Sequence, residues 1–267
     1  MLKIHETGQV GAPTIVFLHG LGISSWMWYE QVQALSHDFH CLAIDLPGNG
    51  ESSGLPWISF ADSARQIADV IRQQATGGVA HVVGLSLGGY TALYLLANHH
   101  DVVATMIASG VTTRPFPRPW LIRPLIRVAK HALKWDWVIN LSAKALQLSP
   151  DVLPLYQRDS KRLSPQSIQR VYDEVLQIEF PASLAEACNP LLVVAGEKEA
   201  RLVRDSLPDF PKVVETAVSA IVPNVHHGWN AEAPKLFTTM IRRWVTTQSL
   251  PDELKIISGG EYATISQ

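Results

Sequence analysis

Apolar positions along the chain follow two alternating rhythms. Short unbroken runs occur at TIVFLHG (14–20), FHCLAIDLPG (39–48), VAHVVGLS (79–86), VVATMIAS (102–109) and PLLVVAG (190–196). Runs of this length, rich in aliphatic and β-branched residues, read as strands buried on both faces. Between them the apolar residues recur at helical spacing. ISFADSARQIADVIRQQA (58–75) aligns Ile67, Val70 and Ile71, with Ser59 or Asp62 as its cap. APKLFTTMIRRWVTTQ (233–248) reads as a helix entered through Pro234. Buried strands alternating with helices predict an α/β fold, with a mostly parallel central sheet covered by helices on both faces. Such sheets carry their active sites at the carboxyl ends of the strands.

The alternation breaks between about residues 114 and 180. Four prolines (115, 117, 119 and 124) lead into helical stretches with no strand signal. The expected division is a core of residues 1–113 and 181–267, with 114–180 inserted as a helical lid. Within the lid, Arg123, Arg127, Lys130 and Lys134 share one helical stripe. Leu121, Leu125, Val128, Ala129 and Ala132 lie opposite, between Trp120 and Trp135. The expected arrangement packs that apolar face on the body and leaves the cations solvated. Contact with an anionic membrane surface and attraction of acidic substrates are the alternatives.

Composition narrows the class. The chain has 267 residues, 47% hydrophobic and 17% charged, which suits one globular domain bearing an insertion. A chain of this size buries roughly three quarters of its extended-chain surface, so it needs no disulfides. Cys41 and Cys188 lie far apart, without neighbours at metal-ligand spacing, and read as ordinary thiols. Residues 114–170 carry 11 Lys and Arg against 3 Asp and Glu. With 22 basic and 24 acidic residues in all, the remainder holds 11 and 21, so a segment at +8 sits in a body at −10. There is no overall basic excess and no basic-aromatic motif, which argues against nucleic acid as a partner. The start, MLKIHETG, lacks a basic-then-apolar leader pattern, so a cytoplasmic setting is expected.

AHVVGLSLGGYTALYLLA (80–97) is almost uncharged and could pass for a membrane span. Gly84, Gly88 and Gly89 cluster at its centre, which weakens a continuous helix. Strand, tight turn and helix fit better. GLSLG (84–88) has the form G-x-S-x-G, which lifts the Ser86 hydroxyl above the sheet on a strained turn. A serine hydroxyl needs a base, an acid to orient that base, and donors for the oxyanion. HGLG (19–22) follows an early strand, and its Leu21 amide can pair with the Leu87 amide as such donors. VVAGEKEA (193–200) ends a strand in acids, and HHGWNAEAP (226–234) precedes the last helix. The order is serine, acid, histidine.

With FLHGLG, DLPGNGES, GLSLGG, GEKE and HHGWNAEAP in this order, the chain resembles the α/β-hydrolase superfamily over nearly all of residues 10–248. The resemblance implies a lid-bearing serine esterase with no cofactor and no metal. It implies Ser86 as nucleophile. It implies His227 as base, by its distance from Glu232 and Pro234, with His226 as the rival in a position usually held by glycine. It implies Glu199 as orienting acid, three residues after Gly196, with Glu197 and Asp205 as alternatives. Asp45 is expected to bond its own turn amides, His19 to brace the oxyanion loop, and Asn49 stands where many relatives have histidine. Gly20, Gly22, Trp26 and Trp229 are the expected pocket residues, and Trp28 is core or pocket wall.

The expected reaction is hydrolysis of a small-to-medium carboxylic ester. C–C bond hydrolysis, perhydrolase chemistry and non-catalytic small-molecule sensing are the alternatives. The expected partner is a small-molecule substrate, with no nucleic acid and no membrane contact, in a monomer or homodimer.

Overall fold

Strands with aliphatic residues on both faces need cover on both sides, and the computed structural model, which describes residues 1–257 except 133 and 147, supplies it. Eight strands form one sheet: β1 (Lys3–Thr7), β2 (Thr14–Leu18), β3 (His40–Asp45), β4 (Ala80–Leu85), β5 (Val103–Ser109), β6 (Leu191–Gly196), β7 (Ala217–Val222) and β8 (Lys255–Ile256). Their order is β1-β3-β2-β4-β5-β6-β7-β8. The edge strands β1 and β8 pair antiparallel and all inner pairs are parallel. Tail residues 258–267 lie outside the described residues.

The helices are α1 (Tyr29–Leu35), α2 (Phe60–Gln74), α3 (Leu87–Asn98), α4 (Pro119–Ala132), α5 (Asp136–Ala145), α6 (Leu153–Arg162), α7 (Pro165–Val175), α8 (Arg201–Ser206), α9 (Phe210–Val213), α10 (Trp229–Glu232) and α11 (Pro234–Thr247). Ser59, not Asp62, caps α2: its side chain accepts from the Asp62 amide. Pro234 opens α11, where its missing N–H costs nothing.

The two-residue period of the inner strands sorts their side chains onto two cores. Val16, Leu18, Leu42, Ile44 and Val82 face one side, beneath α2 and α3. Ile15, Phe17, Cys41, Ala43 and Val83 face the other, beneath α1 and α11. α3 is apolar nearly all round because it is buried nearly all round, which explains the membrane-like look of residues 80–97.

Helices α4–α7 lie between β5 and β6. Ile139 and Ala143 of α5 and Tyr156 of α6 form a third, smaller core against Ile23 and Trp26. The expected packing of α4 is corrected by the structure. Leu121, Leu125 and Val128 are exposed, and no α4 residue is fully buried. α4 packs against α7 through its other side, where Ile122 and Ile126 are half-buried and Arg123 lies 3.6 Å from Asp173. A single flanking helix covers only one face, so the Leu-Val stripe is left outside.

Candidate active site

The turn between β4 and α3 is built by close approach. A Cβ on Gly84 would collide with the Gly88 carbonyl, and one on Gly88 with the Leu18 carbonyl. Only glycines let β4, α3 and β2 meet so closely. Between them Ser86 adopts φ 56° and ψ −116°, a conformation that side-chain-bearing residues rarely adopt. Its amide donates to Ser109 O at 2.8 Å, and its half-buried side chain lines a cavity of about 790 Å³.

Gly20 sits against the turn: a Cβ there would lie 3.8 Å from Ser86 Cβ. Among the described residues neither the Leu21 nor the Leu87 amide has a hydrogen-bond acceptor. The Leu87 amide is also at the positive end of α3. Three buried side chains brace the loop carrying Leu21. His19 donates from Nδ1 to Gly20 O at 2.7 Å and accepts from the Leu46 amide through Nε2 at 2.9 Å. This fixes its tautomer, and burial pulls its pKa below the ordinary 6.5, so the ring is neutral. Asn49 Oδ1 accepts from the Gly22 amide at 3.1 Å. Asp45 accepts from the amides of Ser25 and Glu51, each at 2.8 Å, tying the loop to its own turn.

His227 lines the same cavity and joins Glu199 Oε1 through Nδ1. Glu199 is buried and also accepts from the Gly196 amide at 3.1 Å. The rivals are engaged elsewhere. Glu197 accepts from the Asn224 amide, Asp205 pairs with Arg201, and His226 bonds Glu232 through both ring and amide. Gly110, absent from the residues read from sequence, presses on this pair. At φ +69°, a Cβ there would fall 2.6 Å from His227 Cε1 and 2.9 Å from Glu199 Oε1.

Gly20, Gly22 and Trp26 line the cavity. Trp229 does not, and its assignment to the pocket is corrected. Its ring is fully buried, donates to Ser109 Oγ at 3.0 Å and lies 4.2 Å from the Phe237 ring. It follows His227 by two residues but turns back under it, because the start of α10 points it into the core. Trp28 likewise lies in the core, between Phe17 and Phe237.

Helices α5–α7 complete the cavity with Ile139, Ser142, Tyr156, Ser160 and Tyr172. Burial raises the pKa of both phenols, so they are neutral. Among the described residues no Lys or Arg lines the cavity, and its two carboxylates, Glu30 and Asp151, are at exposed positions. Among the described residues no group of three His, Cys, Asp or Glu is placed to hold a metal. Sequence reasoning also passes over Asp159. Fully buried on α6, it accepts from Ser24 Oγ at 2.6 Å and from Trp26 Nε1 at 2.7 Å. Its one sequence signal is rarity: it is one of three acids in a strongly basic segment.

Residues 13–130 match the model of the alpha/beta hydrolase fold family. A pimeloyl-[acyl-carrier protein] methyl ester esterase of Vibrio vulnificus is 33% identical over 247 residues, covering 88% of this chain and 94% of that protein. An AB hydrolase superfamily protein of Gibberella zeae is 28% identical over 273 residues, covering 95% and 87%. Among solved structures, the enol-lactonase of Burkholderia xenovorans superposes with a TM-score of 0.76 at 20% identity, covering 92% and 96%. The chain belongs to the α/β-hydrolase superfamily. Its similarity to a protein named as a methyl ester esterase supports a hydrolase.

Proposed function

We propose that the protein is a serine hydrolase that cleaves an uncharged carboxylic ester of small-to-medium acyl length through an acyl-enzyme. One observation carries this reading. Parts from distant segments meet at one cavity: Ser86 on its strained turn, His227 joined through Nδ1 to buried Glu199, and Leu21 all line it, and the Leu87 amide follows Ser86 directly at the start of α3.

Glu199 occupies Nδ1 of His227 and leaves Nε2 as the ring's free nitrogen. Nε2 takes the Ser86 proton as Oγ bonds to the ester carbonyl carbon. The Leu21 and Leu87 amides donate to the resulting oxyanion, where one donor typically contributes about 3 kcal/mol. The imidazolium then gives its proton to the departing alcohol. Water, deprotonated by the same ring, releases the acid and restores Ser86. Glu199 holds the tautomer and stabilises the ring while it is charged. No hydrogen bond joins Ser86 Oγ to His227 among the described residues. Such bonds often tighten only when substrate docks.

The cavity supports an uncharged acyl group. It is of ligand size, mostly apolar, with neutral hydroxyls at Tyr156 and Tyr172 and, among the described residues, no Lys or Arg to meet a carboxylate. The test is hydrolysis of nitrophenyl esters graded in acyl length by wild type and Ser86→Ala, with fluorophosphonate labelling of each. Wild type should turn over and label, and Ser86→Ala should do neither. Equal turnover in both would reject the mechanism. A wild type that neither labels nor turns over would point to sensing instead.

A further inference from the structure

The described residues leave 14 large hydrophobic residues exposed, and seven of them lie between residues 120 and 141. Leu125 and Val128 on α4 are 68% and 76% exposed. At 100° per residue they share one stripe with Leu121. Trp120 stands at the start of α4, and Trp135 and Trp137 lie tilted to each other with ring centroids 6.2 Å apart where α5 begins. An uncovered apolar surface of this extent marks a contact site.

Its occupant is indicated by charge. The stripe belongs to the segment that carries +8, and Arg127, Lys130, Lys134 and Lys144 have no carboxylate partner among the described residues. A second copy of the chain would bring one +8 segment against another, since a two-fold contact pairs a patch with its own image. A leucine-valine stripe, tryptophans at its margin and unpaired cations across the helix on its polar side are the pattern of an interfacial helix on an anionic bilayer. No helix among the described residues is long and apolar enough to cross a membrane, so the contact would be peripheral.

We propose that α4 and the start of α5 dock the protein on an anionic lipid surface, against the expectation of no membrane contact. The Leu121–Leu125–Val128 stripe enters the headgroup boundary, and the cations on the polar side of the helix draw the segment to the anionic surface. The place of this face deepens the ester hydrolase reading. α5 turns Ile139 and Ser142 to the cavity and Trp137 and Leu141 to the outside. One helix thickness, about 10 Å, therefore separates the substrate cavity from the docking face. An ester partitioned into the bilayer is the substrate class this arrangement would serve. That extension rests on the proposed hydrolysis, whereas docking does not.

The experiment is flotation of the full chain with vesicles of pure phosphatidylcholine and of phosphatidylcholine with one third phosphatidylglycerol. Nitrophenyl ester turnover is measured in parallel, without vesicles. Wild type should float with the anionic vesicles and bind pure phosphatidylcholine at least about tenfold more weakly, with binding falling as salt rises. Leu125→Glu/Val128→Glu should lose flotation while keeping wild-type turnover of the soluble ester, because neither residue lines the cavity. Arg127→Glu/Lys130→Glu should weaken binding to the anionic vesicles by at least about tenfold. Wild type that stays in the aqueous fraction with both vesicles would overturn docking, as would a Leu125→Glu/Val128→Glu variant that is folded by circular dichroism and floats like wild type. Concentration-dependent dimerisation abolished by Leu125→Glu/Val128→Glu, without flotation, would assign the face to a second copy and equally overturn it. Loss of soluble-ester turnover in wild type would count against the hydrolase reading and leave the flotation result standing by itself.

Discussion

The carboxylate of Asp159 accepts the indole proton of Trp26 at 2.7 Å and the hydroxyl proton of Ser24 at 2.6 Å, joining residues more than 130 positions apart. Trp26 and Ser24 lie just after the loop that carries Leu21, and Asp159 lies on α6. One buried carboxylate thus fastens α6 to the segment that follows Leu21. Arg158 Nε supplies a third donor at 2.9 Å. Hydrogen bonds to a charged group contribute about 1.5–3 kcal/mol each, less where a partner can reach water. Asp159→Ala should therefore destabilise by about 2–4 kcal/mol, lowering Tm by roughly 5–12 °C in a chain of this size. Asp159→Asn keeps one accepting oxygen and should lose about half as much. Ester kcat should fall in both, in the same order. Thermal melts and ester kinetics check this, and an alanine variant that melts and turns over like wild type refutes the link.

Gly110 is a second position that acts through its neighbours. Its φ of +69° and the closeness of His227 Cε1 leave no room for a methyl group. Gly110→Ala should push the imidazole away from Ser86 and its ring away from Glu199. A displacement of about 1 Å at reacting groups costs on the order of 100-fold in rate. The expected outcome is a fall in kcat of that order, with KM changed less than threefold. A loss confined to KM would show that Gly110 shapes the pocket rather than the histidine.

These two residues mark where sequence stops being informative. The turn around Ser86 is legible because its determinants are local: an apolar strand, glycines two positions either side, then a helix. His227 stands out from His226 by its distance to Glu232, and the structure gives that spacing a cause, since Glu232 bonds His226 itself. β2 to β6 are legible because strands buried on both faces are uninterruptedly apolar. β1, KIHET, is an exposed polar edge strand and carries no such signal. Asp159 and Gly110 act through contacts set by folding, not by spacing. The periodicity of α4 shows that a stripe exists but not which side meets the body, and there the expected packing fails. Trp229 fails for a related reason: two residues after His227 the helix has already turned its side chain inward.

The assignment of the acid makes a separable prediction. Only Glu199 of the three candidate acids touches His227, while Glu197 and Asp205 bond the Asn224 amide and Arg201. Glu199→Gln retains shape but removes the charge that stabilises the imidazolium and allows the wrong tautomer. Its kcat should fall by roughly 10³–10⁴-fold. Glu197→Gln and Asp205→Asn should stay within about twofold of wild type, because both are partly exposed and away from the cavity. Steady-state kinetics on one nitrophenyl ester decides it. A large loss in either of the latter two, with little in the first, would move the acid elsewhere.

His19 gives the protein a pH dependence that is separate from catalysis. Burial lowers its pKa from the ordinary 6.5, and both ring nitrogens are committed in the neutral form, Nδ1 to Gly20 O and Nε2 to the Leu46 amide. Above the unfolded value neither state is protonated, so His19 adds no slope. As pH falls through 6.5 the unfolded chain takes up a proton that the folded chain resists. Stability then declines until the depressed folded pKa is reached. His81 and His99 are lowered too, chiefly by burial, and act in the same direction. His19, fully buried, contributes a slope of up to about 1.4 kcal/mol per pH unit, and the more exposed His81 and His99 contribute less because solvent screens them. Urea unfolding at pH 7.5, 6.5, 5.5 and 5.0 should therefore show stability level between the first two points and falling below them. In His19→Asn, which has no group to protonate at this position, the fall should be shallower by as much as one such slope, although its stability at pH 7.5 is lower. Parallel curves for wild type and variant across pH 6.5–5.0 would mean that His19 takes up its proton without leaving the fold, and that Nε2 is not held by the Leu46 amide.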